Sequence, residues 1–315
     1  MNTCIVAGGA GFIGSHLCRS LLEKGYRVIC VDSFATGTEK NVHNLVDNSR
    51  FKIKKHDIRE PLMINEPVQY VFHLASRASP VDYQKHALET LETNAFGTRL
   101  LLTFALEKNA RFLFASTSEV YGDPEEHPQK ESYWGNVNPI GIRSCYDEGK
   151  RFGESLVMTM HRETGLDVRI ARIFNTYGPN MTAGDGRVIP NFITQALANK
   201  PLTIYGDGSQ TRSLCYVGDL VVGLETLMFK DNISGEVVNL GNTSEITIKE
   251  LAQIVKKIAT STAIFETKDL PEDDPTRRCP DITKAKQLLN WEPRVSLEEG
   301  LEKTVSYFRS LKEGS

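Results

Sequence analysis

The sequence lacks the features that mark membrane-spanning, secreted and nucleic-acid-binding proteins. Its 315 residues carry a net charge of only −3, with no long run of one sign, which disfavours nucleic acid and an anionic membrane surface as partners. No apolar run reaches the roughly 18 residues of a spanning helix, and no basic segment with an apolar signal-peptide core precedes the first strand. We therefore expect no membrane segment and a cytoplasmic protein.

Cysteine and histidine occur without the spacing that disulfides or metal ions need. None of the six cysteines forms a Cys-x-x-Cys pair, and several lie in apolar runs, so buried, reduced thiols are expected. That state fits a reducing cytosol. The seven histidines are scattered without ligand spacing, and no metal site is expected.

What the sequence does contain is a regular alternation of strands and helices. With 40% hydrophobic and 24% charged residues, the chain has the composition of a soluble globular protein. Over residues 1–175 short apolar runs alternate with segments of helical spacing, which is typical of a parallel sheet covered on both faces. We predict an α/β protein with a Rossmann-like, doubly wound domain at 1–175. A smaller, mixed α/β lobe at 176–315 is expected to be interlaced with it and to bind substrate.

Residues Gly8–Gly14 form a glycine-rich turn between a strand and a helix. The apolar run Cys4–Ala7 precedes the turn, helical spacing follows it, and a second strand ends at Asp32. In this context glycine lets the backbone approach a pyrophosphate, the helix N-terminus stabilises its charge, and the carboxylate accepts ribose hydroxyls. Asp32 would repel a 2′-phosphate, so the motif predicts NAD rather than NADP. A merely structural tight turn is the alternative.

The carboxyl ends of the predicted strands bring further residues toward the same ligand, because parallel strands end at one edge of the sheet. Asp57 and Ile58 follow a strand and are placed at the adenine; a solvated turn aspartate is the alternative for Asp57. The predicted cofactor-binding residues are Gly8, Gly11, Phe12, Ile13, Gly14, Asp32, Asp57, Ile58, Leu74, Ala75, Tyr146 and Lys150.

Two segments, Phe114–Gly122 and Tyr146–Lys150, carry the candidate acid–base residues. The first is predicted to be a strand that ends in a polar loop. The second places a phenol and an ammonium four residues apart, on one helix face. Such pairs occur by chance on many helices. Their position after a dinucleotide fold and a Ser-Thr-Ser-Glu loop favours a catalytic pair, in which Lys150 and a cationic nicotinamide lower the pKa of Tyr146.

Several strings of the sequence resemble one known family. Gly8–Gly14 with Tyr146-x-x-x-Lys150 resembles the extended short-chain dehydrogenase/reductases, which act on nucleotide sugars. Longer strings resemble the UDP-glucuronic acid decarboxylase, or UDP-xylose synthase, family: Ala115–Pro124, Tyr133–Gly141, Cys145–Arg151, Ala171–Pro179 and Asp273–Ile282. Two departures, Arg77 and His86 where the family often has proline, lie near the expected sugar pocket.

The resemblance implies a lyase that decarboxylates UDP-glucuronate on one tightly held NAD. The sugar 4-hydroxyl is oxidised, the C5 carboxylate is lost as carbon dioxide, and hydride returns to give UDP-xylose. The implied catalytic residues are Thr117, Glu119, Tyr146, Lys150 and Arg278, with Tyr146 as the base. The implied substrate-binding residues are Ser118, Asn175, Arg187, Asn191, Tyr205, Gln210, Arg212 and Arg278.

Three alternatives remain. Related 4,6-dehydratases have an acidic aspartate where Ser118 stands, and related 4-epimerases usually lack a glutamate at the position of Glu119. Ser118-Glu119 thus disfavours both. A redox-sensing regulator without catalysis would be expected to have a broken Tyr-x-x-x-Lys motif, which is intact here. Taken alone, Glu119 is equally consistent with a loop acid, and Arg212 and Arg278 with surface arginines.

The predicted helices at 86–107 and 144–164 carry more apolar residues than one core-facing stripe needs, including Leu156, Val157, Met158 and Met160. The resemblance implies that these helices pair across a twofold axis into a four-helix bundle, giving a homodimer. The alternative is that both faces are buried within the monomer.

Overall fold

A computed structural model describes residues 1–269 and 277–313, so the predicted family string Asp273–Ile282 lies partly outside the described residues. The strands are β1 Thr3–Ala7, β2 Arg27–Asp32, β3 Phe51–Lys55, β4 Tyr70–His73, β5 Arg111–Thr117, β6 Val168–Ile173, β7 Thr176–Tyr177, β8 Leu202–Tyr205, β9 Thr211–Ser213, β10 Cys215–Tyr216, β11 Glu236–Leu240, β12 Glu245–Thr247 and β13 Phe265–Lys268. The helices are α1 Phe12–Glu23, α2 Pro80–Lys85, α3 Ala87–Glu92, α4 Thr98–Lys108, α5 Ser144–Thr164, α6 Val188–Leu197, α7 Val217–Phe229, α8 Ile248–Ile258, α9 Thr283–Leu289 and α10 Leu297–Glu313.

A parallel sheet organises the described part of the chain. Its seven strands follow the order β11-β6-β5-β4-β1-β2-β3, and every neighbouring pair is parallel. Because β1 has β2 on one side and β4 on the other, the strand order reverses there. Ligands of such sheets bind outside the carboxyl ends at this point. The predicted Rossmann-like, doubly wound fold is confirmed.

Alternate residues of the strands enter two separate hydrophobic cores. On one face, Cys4 and Val6 of β1 belong to a core that includes residues of α1 and α7. On the other face, Ile5 and Ala7 belong to a core that includes residues of α4 and α5. Since both faces are covered, the central strands are apolar at consecutive positions rather than alternating.

Beyond residue 175 the chain divides its elements between the sheet and a second lobe. Helices α6, α8 and α10 share a core that contains Phe192, Leu251 and Val305. The chain then returns to the sheet, since Glu236–Leu240 pairs with β6 and α7 covers the same face as α1. The two parts of the chain are therefore interlaced.

The prediction of one regular helix at 86–107 is wrong in detail. A π-helical turn at Thr93–Gly97 separates α3 from α4. A Cβ added to Gly97 would lie 2.7 Å from the Ile58 side chain, so the backbone approaches that residue closely. Hydrophobic spacing does not reveal a π turn, because one extra residue shifts the apolar stripe by only part of a turn.

The apolar residues that the sequence singled out on α5 differ in burial. Val157 is fully buried, whereas Leu156, Met158 and Met160 are partly exposed and pack in part against the same core. The most exposed apolar side chains of α3, α5 and the turn that follows α3 are Leu88 (70% exposed), Phe96 (61%) and Phe152 (52%).

Two expectations from composition can be compared with the structure. All six cysteines are free thiols and five are buried, as predicted, while Cys145 is partly exposed. Across residues 1–269 and 277–313, no helix has both the length and the apolar character needed to cross a bilayer.

Candidate active site

The glycine-rich turn connects β1 to α1 with backbone segments that approach one another closely. Gly8 has a φ of +79°, in the left-handed region that favours glycine. A Cβ on Gly14 would collide with the carbonyl oxygen of Gly8, so glycine lets the helix begin close to the strand. Helix α1 has no side-chain cap and no acidic residue in its first turn. Its first N–H groups therefore keep their positive potential for an anion.

Asp32 ends β2 and faces this turn. Its carboxylate accepts hydrogen bonds from the backbone N–H groups of Ala10 (2.9 Å) and Phe34 (2.8 Å). Burial raises the pKa of Asp32, and the two hydrogen bonds oppose that rise. A Cβ on Gly37 would lie 2.9 Å from the carboxylate oxygens, so glycine leaves space beside the acid. The geometry suits the predicted acceptor of ribose hydroxyls.

Leu74 and Ala75, which follow β4, line the same turn. A Cβ on Gly8 would lie 2.7 Å from the backbone nitrogen of Ala75. This close approach places both residues at the crevice where the strand order reverses. Their predicted role in cofactor binding therefore has a geometric basis.

Asp57 and Ile58 lie beyond β3. The Asp57 carboxylate accepts hydrogen bonds from Nε (3.1 Å) and Nη2 (2.8 Å) of Arg59. These bonds lower the pKa of Asp57. Ile58 is buried, next to Gly97 of the π turn. Contact of either residue with an adenine stays a prediction.

Tyr146 and Lys150 lie in the first turns of α5, beside β5. Tyr146 is 6% exposed and stacks on Tyr83, with ring centroids 5.0 Å apart. Lys150 is 2% exposed and donates a hydrogen bond to the carbonyl oxygen of Ala115 at 2.8 Å. Its ammonium lies 5.9 Å from the centroid of the Tyr146 ring. The two side chains share one helix face, as their spacing predicts.

The groups of the protein alone do not lower the pKa of Tyr146 toward neutral pH. Burial raises the pKa of Tyr146, and a hydrogen bond with the Thr117 side chain opposes only part of the rise. Burial also lowers the pKa of Lys150 from 10.5 to about 7, so the amine is only partly charged at neutral pH. The expectation that Lys150 and a cationic nicotinamide ring together lower the pKa of Tyr146 stays a prediction.

Glu119 is held between two guanidinium groups. The Thr117 hydroxyl accepts the N–H of Glu119 at 3.2 Å and caps a 3₁₀ turn at Ser118–Tyr121. The Glu119 carboxylate accepts hydrogen bonds from Arg143 (2.5 Å) and from Arg278. Burial acts to raise the pKa of Glu119, but the charges of the two arginines outweigh it, and the pKa is lowered. Glu119 is therefore an anion at neutral pH.

Arg278 joins the distant end of the chain to this cluster through its ion pair with Glu119, and its predicted catalytic role stays a prediction. The two residues are 159 positions apart. Arg278 is 3% exposed, and its Nη2 donates to the carbonyl oxygen of Gly122 at 2.8 Å. Its Nε is buried and has no hydrogen-bond partner within the described ranges.

Sequence reasoning missed two members of the cluster, Arg143 and Asp147. Arg143 precedes α5 and belongs to no motif, so no sequence signal could have found it. Asp147 lies inside the Tyr-x-x-x-Lys motif, and its only signal is its position next to Tyr146. It is 6% exposed. Burial, and then the charge of Glu119, raise the pKa of Asp147 to about 7.

Some predicted substrate residues lie beside the cluster. Ser118 is 2% exposed and directly follows Thr117. Arg187 precedes α6, pairs with Asp185, and lies 5.7 Å from the Phe12 ring centroid. Its charge also acts to lower the pKa of Tyr146. Arg187 therefore lies between the glycine-rich turn and the candidate base.

Other predicted substrate residues are joined mainly to the second lobe. Gln210 Nε2 donates to the carbonyl oxygen of Tyr205 at 2.8 Å, and Arg212 donates to that of Thr211 at 2.9 Å. The Ser213 hydroxyl, at the end of β9, donates to the carbonyl oxygen of Arg278 at 3.2 Å, so this strand connects to the cluster.

Asn175 and Asn191 complete the predicted substrate set. The carbonyl oxygen of Asn175 accepts the N–H of Cys215 at 2.9 Å, which places Asn175 at the junction of β6 and the second lobe. Asn191 lies in the first turns of α6. Their contact with a nucleotide or sugar stays a prediction.

A separate group of potential metal ligands lies outside this site. Ligand atoms of His127, Glu245 and Cys279 lie within 4.8 Å of one another. The Arg277 guanidinium contacts His127 (2.9 Å) and Glu245 (3.1 Å). A cation in that position opposes metal binding, so the group gives no support for a metal site.

Comparison with known proteins finds relatives that match nearly the whole chain. The family model described as GDP-mannose 4,6 dehydratase matches residues 5–304. UDP-glucuronic acid decarboxylase 1 of Arabidopsis thaliana is 54% identical over 306 residues, which cover 97% of this chain and 69% of that protein. UDP-glucuronic acid decarboxylase 1 of Danio rerio is 52% identical over 304 residues, 96% of this chain and 72% of that protein.

A solved structure extends the comparison to the fold. UDP-glucuronic acid 4-epimerase from Bacillus cereus, in complex with UDP-glucuronic acid and NAD, matches with a TM-score of 0.87 and 32% identity. The match covers 98% of this chain and 99% of that chain. Matches over nearly the whole chain show that it belongs to the extended short-chain dehydrogenase/reductases that the GDP-mannose 4,6 dehydratase model describes. Within them, it belongs to the UDP-glucuronic acid decarboxylase family.

Proposed function

We propose that the protein decarboxylates UDP-glucuronate to UDP-xylose and carbon dioxide through a 4-keto intermediate. The observation that carries this proposal is the Glu119 carboxylate held by Arg143 and Arg278 beside Thr117 and Tyr146. Fixed guanidinium groups suit a substrate whose reacting carbon bears a carboxylate. Relatives more than 50% identical over nearly the whole chain are named for this activity.

The protein uses NAD, and its residues fit that cofactor. The uncapped N-terminus of α1 and the glycine-rich turn suit the pyrophosphate. Asp32 suits the ribose hydroxyls and would repel a 2′-phosphate. A bound NAD would supply the hydride acceptor and donor for carbon 4 of the sugar.

Tyr146 and Thr117 act on the sugar 4-hydroxyl. Tyr146 takes the hydroxyl proton while carbon 4 is oxidised, and Thr117 donates a hydrogen bond to the same oxygen. The Thr117 side chain acts to lower the pKa of Tyr146, which supports placing their polar atoms near one substrate oxygen. Lys150, fixed by the carbonyl oxygen of Ala115, adds positive charge beside Tyr146 when it is protonated.

Loss of carbon dioxide follows from the ketone. The C5 carboxylate becomes β to the carbonyl group, and its bond electrons move toward the ketone oxygen as an enolate. Tyr146 and Thr117 stabilise the charge on that oxygen. Arg278 Nε, buried and without a partner among the described residues, is a donor that can orient the sugar carboxylate. Carbon 5 is then protonated and the ketone reduced.

A nucleotide-sugar 4-epimerase or 4,6-dehydratase is the second candidate, because a UDP-glucuronic acid 4-epimerase shares the fold. Two residues disfavour it. Ser118 is buried where a dehydratase needs an acid, and a hydroxyl is a poor acid. Glu119 is fixed by two arginines, whereas the resembling epimerases usually lack a glutamate there.

Product analysis separates the candidates. The purified protein is incubated with UDP-glucuronate, with and without added NAD, and nucleotide sugars and carbon dioxide are measured. UDP-xylose with equimolar carbon dioxide is the expected result. Formation of UDP-galacturonate without carbon dioxide would instead establish an epimerase.

We also propose the domain roles, the assembly and the location. Residues 176–315 supply contacts to the UDP-sugar, as the link from Ser213 to Arg278 supports. The protein is a homodimer through a four-helix bundle of the α3–α4 and α5 segments, which the exposed Leu88, Phe96 and Phe152 support. Its proposed location is the cytoplasm.

A further inference from the structure

The decarboxylation consumes a proton whose source the residues above do not supply. The carboxylate leaves as carbon dioxide and its bond electrons stay on the sugar, so R–COO⁻ and H⁺ give R–H and CO₂. The proton that Tyr146 takes from the 4-hydroxyl returns to that oxygen when carbon 4 is reduced. A second proton must therefore reach carbon 5 in each turnover. This requirement rests on the proposed function.

Glu119 is poorly suited to store that proton. Its carboxylate accepts hydrogen bonds from both Arg143 and Arg278. Despite burial, their charges lower the pKa of Glu119. An ionised carboxylate between two cations can pass a proton on, but it does not hold one at neutral pH.

The position of Asp147 on α5 directs it toward the loop that carries Glu119. Arg151 and Glu154 lie four and seven residues further along, on the same helix stripe. Arg151 donates to the carbonyl oxygen of Val120 at 2.9 Å, and Glu154 accepts from the Ser116 hydroxyl at 2.5 Å. Since both contact the Ser116–Tyr121 segment, the helix stripe that carries Asp147 packs against this segment, and the charges of Glu119, Arg143 and Arg278 act on Asp147.

Asp147 is buried without full pairing. It is 6% exposed, and its Oδ1 has no hydrogen-bond partner in the described part of the chain. The hydroxyl of Tyr83, in α2, is likewise buried and unpartnered, and the charge of Asp147 acts on Tyr83. An unpaired carboxylate in such a place is costly, whereas a protonated carboxyl is much less so.

The groups around Asp147 favour its protonated form. Burial is the main cause, and the negative charge of Glu119 is the next. Arg143 and Arg278 oppose them, while the neighbouring Glu148 adds to them. The net result is a pKa of about 7 for Asp147, so near neutral pH it can both release and regain a proton.

We propose that Asp147 stores the proton that decarboxylation consumes and delivers it through the Glu119 carboxylate to carbon 5. In this step the O–H bond of Asp147 breaks and Glu119 is transiently protonated. The enolate then takes that proton, forming the C5–H bond. Asp147 regains a proton from solvent before the next turnover. Asp147 is thus a positioning residue that acts through Glu119.

The test compares Asp147→Asn with Asp147→Glu and with Glu148→Gln as the neighbouring control. The rate kcat is measured from pH 5.5 to 9, together with carbon dioxide, UDP-xylose and absorbance of NADH at 340 nm. Wild type is expected to lose kcat as pH rises through a value near 7. Asp147→Asn is expected to lower kcat about 100-fold. Its pH profile should lack this fall of kcat near pH 7, which is called the limb below, and NADH should accumulate in the presence of substrate. Glu148→Gln should keep the limb, and Asp147→Glu should restore kcat to within about tenfold of wild type.

Each outcome decides one claim. If wild type makes no UDP-xylose, the proposed function fails. If wild type makes UDP-xylose but Asp147→Asn retains its kcat and its pH profile, only the role of Asp147 is overturned. If Asp147→Asn does not fold or bind NAD, Asp147→Glu decides: a restored rate with a shifted limb supports the role, and an inactive, folded Asp147→Glu contradicts it.

Discussion

At the scale of single residues, burial sets the protonation states of the site. Burial raises the pKa of Tyr146 and lowers that of Lys150 to about 7, so both groups favour their neutral forms. Glu119 is the exception, because two arginines compensate for its desolvation. The cluster therefore combines the Glu119 anion and its two guanidinium partners with groups in which burial favours the neutral form.

Removal of the Tyr146 hydroxyl tests the assigned base. Tyr146→Phe keeps the ring that stacks on Tyr83 but cannot take the 4-hydroxyl proton. We expect turnover to fall about 10² to 10⁴-fold while NAD binding, measured by calorimetry, is retained. Tyr70→Phe is the matched control, since Tyr70 lies at the amino end of β4, whereas the site lies at the carboxyl ends of the strands. Unchanged turnover in Tyr146→Phe would refute the assignment.

Lys150 predicts a specific pH dependence of stability. The pKa of Lys150 is about 7 in the folded protein against an ordinary lysine value of 10.5, so between these values the unfolded chain binds the proton more tightly. The free energy of unfolding due to this residue therefore rises with pH in that window and is constant below it.

Lys150→Met removes this ionisation. The difference in Tm, Lys150→Met minus wild type, should be most positive at or below pH 7. It should fall by at least about 2 °C toward pH 10. Differential scanning fluorimetry measures the difference, which isolates Lys150 because all other groups are shared. The exposed Lys40→Met serves as control. A Tm difference independent of pH would contradict the burial argument.

At the scale of elements, the cofactor site depends on how closely a strand, a turn and a helix approach. The glycines of the turn are needed because Gly8 contacts Ala75 and Gly14 contacts Gly8. The π turn at Thr93–Gly97 likewise lets the backbone pass Ile58. At Gly8, Gly14 and Gly97 the lack of a Cβ is what allows the close backbone approach.

Gly14→Ala tests this close approach. The added Cβ would collide with the carbonyl oxygen of Gly8, so α1 must move away from β1. We expect a lower Tm and NAD affinity reduced at least about tenfold, because the helix N-terminus no longer meets the pyrophosphate. Gly165→Asn is the control, since no atom lies within 4 Å of a Cβ there and asparagine tolerates its φ of +74°. Equal NAD affinity in Gly14→Ala and wild type would disprove the packing argument.

At the scale of the whole molecule, the site is assembled from segments that are distant in sequence. Glu119, after the carboxyl end of β5, pairs with Arg278 near the C-terminal end of the chain, and Ser213 of β9 contacts Arg278. The interlaced return of β11 to the sheet fixes the two parts against each other. The cluster can therefore form only in the complete fold.

The proposed dimer is tested by charge on its expected face. Leu88 and Phe96 are exposed apolar side chains, and aspartate at both positions would place charge in a buried interface. Light scattering coupled to size exclusion should give twice the chain mass for wild type and one chain mass for Leu88→Asp/Phe96→Asp. Ile264→Asp, at an exposed apolar residue of the second lobe, should remain dimeric. A monomeric wild type would overturn the proposed assembly.

The sequence by itself determined the local chemistry. Gly8–Gly14 with Asp32 predicted the dinucleotide turn, and Tyr146 with Lys150 predicted one helix face, because both patterns depend on short-range geometry. Only the tertiary structure decided the rest. Arg143 and Asp147 belong to the cluster through packing of α5 against the loop after β5, which no spacing encodes. The pKa values of Tyr146 and Lys150 depend on burial by the whole fold, so the sequence could identify these groups but not their protonation.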